Sequence, residues 1–197
     1  MLAILTDESV ASLTFRLGSR LFMRYCPQRP FPPYAYIPGR RPHPVSDPRG
    51  HSFGLSSLPV VPLDPGQPRR SDEFLFAIDL FNHGYYWEAH EAWEQLWHAA
   101  GRSGPVATLL KGLIKLAAAG VKAREGNATG VKRHAHRAAE LLRTAGESHS
   151  ELQGLFEAIR GPQLLEQSTA LFEQPIVDMT DIAAGNPVLP IQIEISP

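Results

Sequence analysis

His90 and Glu94 stand four residues apart inside the stretch Asn82-His83-Gly84-Tyr85-Tyr86-Trp87-Glu88-Ala89-His90-Glu91-Ala92-Trp93-Glu94-Gln95-Leu96-Trp97. An imidazole and a carboxylate one helical turn apart suit two chemistries. The carboxylate fixes the tautomer of a histidine acting as general base, or the two share a divalent cation. At about 100° per residue, Tyr86, His90, Trp93 and Trp97 fall within about 60° of arc, which predicts a histidine centred on an aromatic stripe. A structural reading stands beside the chemical one. In it, His90 is a core histidine satisfied by Glu94 and a facing backbone carbonyl, and the aromatic residues are packing.

Known motifs at this spacing are incomplete. His90-Glu91-Ala92-Trp93-Glu94 has the start of the zinc-protease pattern His-Glu-x-x-His, but Glu94 replaces the second histidine. The Glu-x-x-His pair of di-iron bundles fails because residue 87 is Trp. Further ligand types come from His43, Asp47 and His51, which lie among prolines and so cannot share one helix with His90. An arm that folds back near His90 brings His43, Asp47, His51, His90 and Glu94 together. Three imidazoles and two carboxylates are enough for zinc, iron or manganese with an open position. Otherwise Asp47 and His51 cap turns within the arm. On the fourth helix, His134 is placed to face the site and His136 faces solvent. Cys26 precedes a proline with no histidine beside it, which argues against a thiol nucleophile. No glycine-rich phosphate loop or Ser-x-Gly elbow is present.

The elements that must position these residues follow from periodicity. Residues 27 to 68 hold 12 of the 18 prolines, together with Phe31, Tyr34, Tyr36 and Phe53. Regular helix is excluded there, and the aromatics call for an ordered arm wrapping a body, with residues 65 to 70 as hinge. Ser71 or Asp72 caps a first helix whose apolar residues are Leu75, Ile78, Leu80 and Phe81, and Gly84 ends it. The second helix runs over about 85 to 99. A third starts at Ser103-Gly104-Pro105, with Leu109, Leu110, Leu113, Leu116, Ala117 and Val121 inward and Lys111, Lys115 and Lys122 on the far side. Gly126-Asn127 stops it and caps a fourth, with Val131, Ala135, Ala138 and Leu142 inward. Residues 150 to 173 form one or two shorter helices broken at Gly161-Pro162. Ile191, Ile193 and Ile195 alternate with polar residues in an extended tail, which packs along the bundle or pairs with another chain in a homodimer. Leu13, Leu17 and Leu21 predict an amphipathic helix before the arm, unless translation starts at Met23. The organisation is therefore a segment and basic arm over 1–70, a helical bundle over 71–175 and a tail over 176–197.

Composition narrows the classes. With 43% hydrophobic and 20% charged residues the chain reads as an ordinary globular protein. One cysteine excludes an intrachain disulfide and a cysteine-cluster metal site, and a reducing cytoplasm is the default. No unbroken apolar run approaches the roughly 20 residues of a membrane span. The net charge of -1 hides an asymmetry. Residues 16 to 70 carry nine arginines against Asp47 and Asp64, a net of +7, whereas residues 71 to 197 carry ten basic against sixteen acidic residues, a net of -6. Such an arm would bind nucleic acid or phosphate, or lie on its own acidic body. Scattered arginines among prolines disfavour nucleic acid, and the aromatics favour self-docking.

Residues 74 to 126 resemble a known family, the domain of unknown function 309. The shared words are Phe81-Asn82-x-Gly84-x-Tyr86-x-Glu88-Ala89-His90-Glu91, Glu94-x-x-Trp97, Leu110-Lys111-Gly112-Leu113-Ile114-Lys115-Leu116-Ala117-Ala118-Ala119 and the Arg124-x-Gly126-Asn127 turn. Lys111 and Lys115 stand where the family tends to carry Gln. The Pro42-His43-Pro44 and Asp47-Pro48-x-Gly50-His51-Ser52 arm resembles an extension of longer members. The resemblance implies a compact α-helical bundle with one loop crossing a side, and brings no activity with it. Together these readings predict an all-α antiparallel bundle of four to six helices with an ordered proline-rich N-terminal arm. The expected site is His90 and Glu94, taking a small molecule or a metal. His90 serves as general base or ligand, Glu94 orients it, and hydrolysis is the reaction class. The competing class is a non-catalytic interaction module whose His-Glu-Trp stripe only packs helices.

Overall fold

The structure is a computed structural model that describes residues 24–55, 59–148, 152–180 and 186–196. The helix expected before the arm and the alternative start at Met23 lie outside the described residues. Among those described there are six α-helices and no strand: α1 Asp72–Asn82, α2 Tyr86–Ala99, α3 Gly104–Arg124, α4 Ala128–Gly146, α5 Leu152–Ala158 and α6 Gly161–Glu173. The fold is all-α, a bundle in which α1 to α4 each pack on their sequence neighbours and α6 returns onto α4.

Local chemistry sets the boundaries. The Ser71 side chain accepts from the Phe74 amide at 3.2 Å, and Asn127 accepts from the Gly130 amide at 2.8 Å, each satisfying a donor of the first turn. Gly84 adopts φ +77° between α1 and α2, where a Cβ would meet the Arg124 guanidinium and the Asn186 carbonyl at 2.7 Å. Gly161 and Pro162 open α6 instead of breaking a helix. Proline's fixed φ and missing donor suit the first turn, and the break falls just before it, at Arg160 with φ 53°.

The core fills from one face of each helix. Leu75, Ile78, Leu80 and Phe81 of α1 and Leu109, Leu110, Leu113, Leu116 and Ala117 of α3 are buried. So are Val131, Ala135, Ala138 and Leu142 of α4. By length and composition α3 is apolar enough to cross a membrane, but 61% of its apolar window is buried between its neighbours, so packing accounts for that apolarity. Small residues allow the close approach. Gly120 of α3 lies against the ring of Tyr86, where any Cβ would enter the ring.

Arm and tail are both laid on the bundle. The Asp79 carboxylate of α1, 1% exposed, accepts from the Tyr25 and Cys26 amides at 2.8 Å each. The tail buries Leu189, Ile191, Ile193 and Ile195 and pairs with side chains, not with another strand. Asn82 bonds both sides of Ile193: its amide donates to the Ile193 carbonyl at 2.8 Å and its oxygen accepts from the Ile193 amide at 2.9 Å. The Tyr86 hydroxyl accepts from the Val188 and Leu189 amides at 2.9 and 3.0 Å. Of the two placements expected for the tail, packing along the bundle is the one observed.

Candidate functional site

Helix α2 is buried on one side only, and the predicted stripe divides accordingly. Tyr86 and Trp93 are core residues, 2% and 0% exposed. His90, Glu94 and Trp97 lie further round the helix and are half-buried. The His90 Nε2 is 3.9 Å from a Glu94 oxygen, with the two side chains 26% and 39% exposed. That separation is too long for a hydrogen bond, and it is an ion pair only when His90 is protonated. Burial holds the His90 imidazole below its ordinary pKa; Glu94 and the Ile114 carbonyl of α3 pull it up, and Lys115 pushes it down. The histidine therefore favours its neutral form, with a backbone carbonyl as partner and a lone pair for another group.

Glu91 completes this flank. One ligating atom from each of His90, Glu91 and Glu94 can be chosen so that all three lie within 4.8 Å of one another. Among the described residues no other group of three His, Cys, Asp or Glu side chains comes as close. Glu91 is pushed above the ordinary glutamate range by burial, and further by the negative charges of Glu94 and Glu88. His134 of α4 borders the same flank. Burial first, then Lys115, Arg133, Lys122 and His90, hold its pKa down at about 4. The lysines expected on the far side of α3 in part flank this site: the Lys111 ammonium is 5.3 Å from the Trp97 ring centroid and Lys115 acts on both histidines. His136 is exposed, 3.4 Å from Glu140.

The arm reaches α2 two residues earlier than His90. Its histidines meet Trp87 and Glu88, not His90 and Glu94. His51 Nε2 lies 3.2 Å from Glu88 Oε1, and its Nδ1 lies 2.9 Å from the Ser52 hydroxyl. The Tyr36 amide donates to the same Glu88 oxygen at 2.9 Å. His43 packs its ring 5.3 Å from Trp87, and its Nδ1 accepts from the Val45 and Ser46 amides at 3.2 Å. Asp47 pairs with Arg49 at 2.9 Å, which together with the Arg49 amide lowers its pKa to about 2. The five-residue set His43, Asp47, His51, His90 and Glu94 is thus not gathered at one point. Residues 88 and 90 are turned about 200° from each other on a helix, so an arm lying over Glu88 leaves the His90 flank open.

Glu88, Glu91 and Asp79 escaped the sequence reading. The signal for Asp79 was present, a carboxylate inside the apolar run Ala77-Ile78-Asp79-Leu80-Phe81. Nothing in α2's periodicity marks Glu88, because its partners come from a stretch without period.

Residues 74–134 match the family described as a domain of unknown function, DUF309. Neither the curated proteins nor the solved structures return a match. The DUF309 segment runs from α1 to the first turns of α4, so Asp79, Glu88, His90, Glu91, Glu94 and His134 all fall inside it. The arm residues His43 and His51 and the tail fall outside.

Proposed function

We propose that the DUF309 segment of this chain is a divalent-cation site, with His90, Glu91 and Glu94 as ligands. One observation carries the reading, the approach of three ligating atoms to within 4.8 Å on a half-buried flank. A neutral imidazole with two carboxylates is the donor set of many zinc, iron and manganese sites, and the Ile114 carbonyl is the kind of partner that orients a ligating histidine. Three protein ligands leave a position for water, so hydrolysis is the reaction class such a site serves. The arm contributes no ligand in this reading.

The test is direct. Metal-free protein titrated with Zn²⁺ or Mn²⁺ in a calorimeter is expected to bind one equivalent. His90→Ala is expected to abolish binding while the fold persists, and Glu94→Gln to weaken it. A folded protein that takes up neither ion, or one whose uptake ignores both substitutions, overturns the proposal.

A second reading has its own support. Tyr86 and Trp93 are core, and the Tyr86 hydroxyl holds the tail, so the aromatic half of the motif does structural work. Lys115 beside His90 also opposes a cation. If the site is only structural, Glu94→Gln changes stability and no binding property.

A further inference from the structure

Between the arm and the α1–α2 pair lies a cleft of about 270 Å³, separate from the cation flank except that Glu91 borders both. Three carboxylates line it, Glu73, Glu88 and Glu91, against the single guanidinium of Arg29 and the imidazole of His51. Arg29 is already engaged: its guanidinium lies 4.1 Å over the Phe76 ring, and Nη1 donates to the Asp72 carbonyl at 3.5 Å. His51 is committed to Glu88 and Ser52. The floor and walls include the apolar groups of Phe76, Leu80 and Ala92.

The informative atom is on Glu88. Its side chain is 5% exposed. Oε1 takes both the Tyr36 amide and His51, while Oε2 is buried and accepts no hydrogen bond. A buried carboxylate oxygen without a donor is costly, and because Glu88 lines the cleft a ligand there can draw its carboxylate forward onto a donor. An anion would meet three carboxylates, and an apolar ligand would leave Oε2 unsatisfied. A divalent metal needs convergent ligands, and here the described residues offer such a group only at His90, Glu91 and Glu94. A protonated amine supplies N–H donors and positive charge together, and a short hydrocarbon fits the apolar walls of a cleft this small.

We propose that this cleft binds a small organic cation, a primary ammonium on a short apolar body, with Glu88 as its buried counter-charge and the arm as its cover. The site does not depend on a metal at His90.

The experiment is calorimetric or NMR titration of the full chain with n-pentylamine, alongside n-pentanol and n-pentanoate at the same concentrations. One equivalent of pentylamine is expected to bind at least tenfold more tightly than either control. Glu88→Gln keeps the shape but removes the charge, and is expected to weaken pentylamine at least tenfold. Ala92→Phe fills the cleft from α2 without touching the Glu88 contacts with the arm. It is expected to abolish binding, and so gives an answer even if Glu88→Gln loosens the arm. His90→Ala, which removes the cation group, is expected to leave pentylamine binding unchanged. No saturable binding, equal binding of pentanol, or binding indifferent to both Glu88→Gln and Ala92→Phe overturns the proposal.

Discussion

Single polar side chains do most of the joining in this molecule. Asp79, Asn82, Glu88 and Tyr86 take backbone amides from segments that have no sheet or helix of their own. Asp79→Ala strands the Tyr25 and Cys26 amides and removes the partner of Arg24, whose Nε lies 3.6 Å away. Urea denaturation is expected to show a loss of about 2 to 4 kcal/mol, whereas a change under about 0.5 kcal/mol would mean that the arm docks without Asp79. His134 gives a pH signature. Its folded pKa, about 4, is below the ordinary value of 6.5, so the unfolded chain binds the proton more readily. The stabilisation is intact above pH 6.5 and is lost as pH falls from there toward about 4. His134→Gln is therefore expected to flatten the acid limb of stability in that window; an unchanged limb would assign it to other groups. His90 and Glu94 were legible as a pair because helical spacing alone brings them together. Glu88 was not, since periodicity reports which residues share a face and is silent on which arm residue arrives there.

At the scale of elements, the helices were legible wherever period, cap and stop agreed. Ser71, Gly84, Pro105 and Asn127 all sit at the boundaries of α1 to α4. Gly161-Pro162 misled because a glycine-proline step can end a helix or begin one, and here it begins α6 after the break at Arg160. The tail's alternation was legible as extended structure, but its partners are the single side chains Asn82 and Tyr86, which no pairing pattern announces. Tyr86 shows how tightly the elements interlock: burial raises its phenol to about 12, against the hydrogen bonds from Leu189 and Val188, while Gly120 makes room for its ring. Two glycine-to-alanine changes separate packing from propensity. Gly120→Ala forces a methyl into the Tyr86 ring, and overpacking of this kind costs about 1 to 3 kcal/mol. Gly154→Ala, at an exposed position of α5 with open space around it, is expected to stabilise by up to about 1 kcal/mol. Thermal melts of the two variants should move in opposite directions; melts that fall together would place Gly154 in a contact that the structure does not contain.

For the molecule as a whole, the charge asymmetry raises the question of what holds a +7 arm to a -6 body. The arginine contacts give an answer that net charge does not. Arg29 reaches the Asp72 carbonyl, Arg40 the Met179 carbonyl at 2.6 Å, and Arg69 the Ser196 and Ile195 carbonyls at 2.8 Å each. Arg24 alone of these approaches a carboxylate of the body, and the buried carboxylates Asp79 and Glu88 spend their oxygens mainly on arm amides and His51. Hydrogen bonds to carbonyls and to buried carboxylates are screened far less than exposed ion pairs, whose attraction fades beyond a Debye length of about 10 Å at 0.1 M salt. Docking by long-range charge would therefore loosen with salt, and docking by these contacts should not. Trypsin cleavage of the exposed Arg40–Arg41 bond reports the difference, since the segment must leave the body to enter the protease. With trypsin activity normalised on an unstructured peptide, cleavage is expected to proceed at nearly the same rate in about 0.05 M and about 0.5 M NaCl, and several-fold faster in Asp79→Ala at either salt. Release of the arm by salt alone would instead mean that the basic arm is held by the field of the acidic body, and would reopen an anionic partner as its ligand.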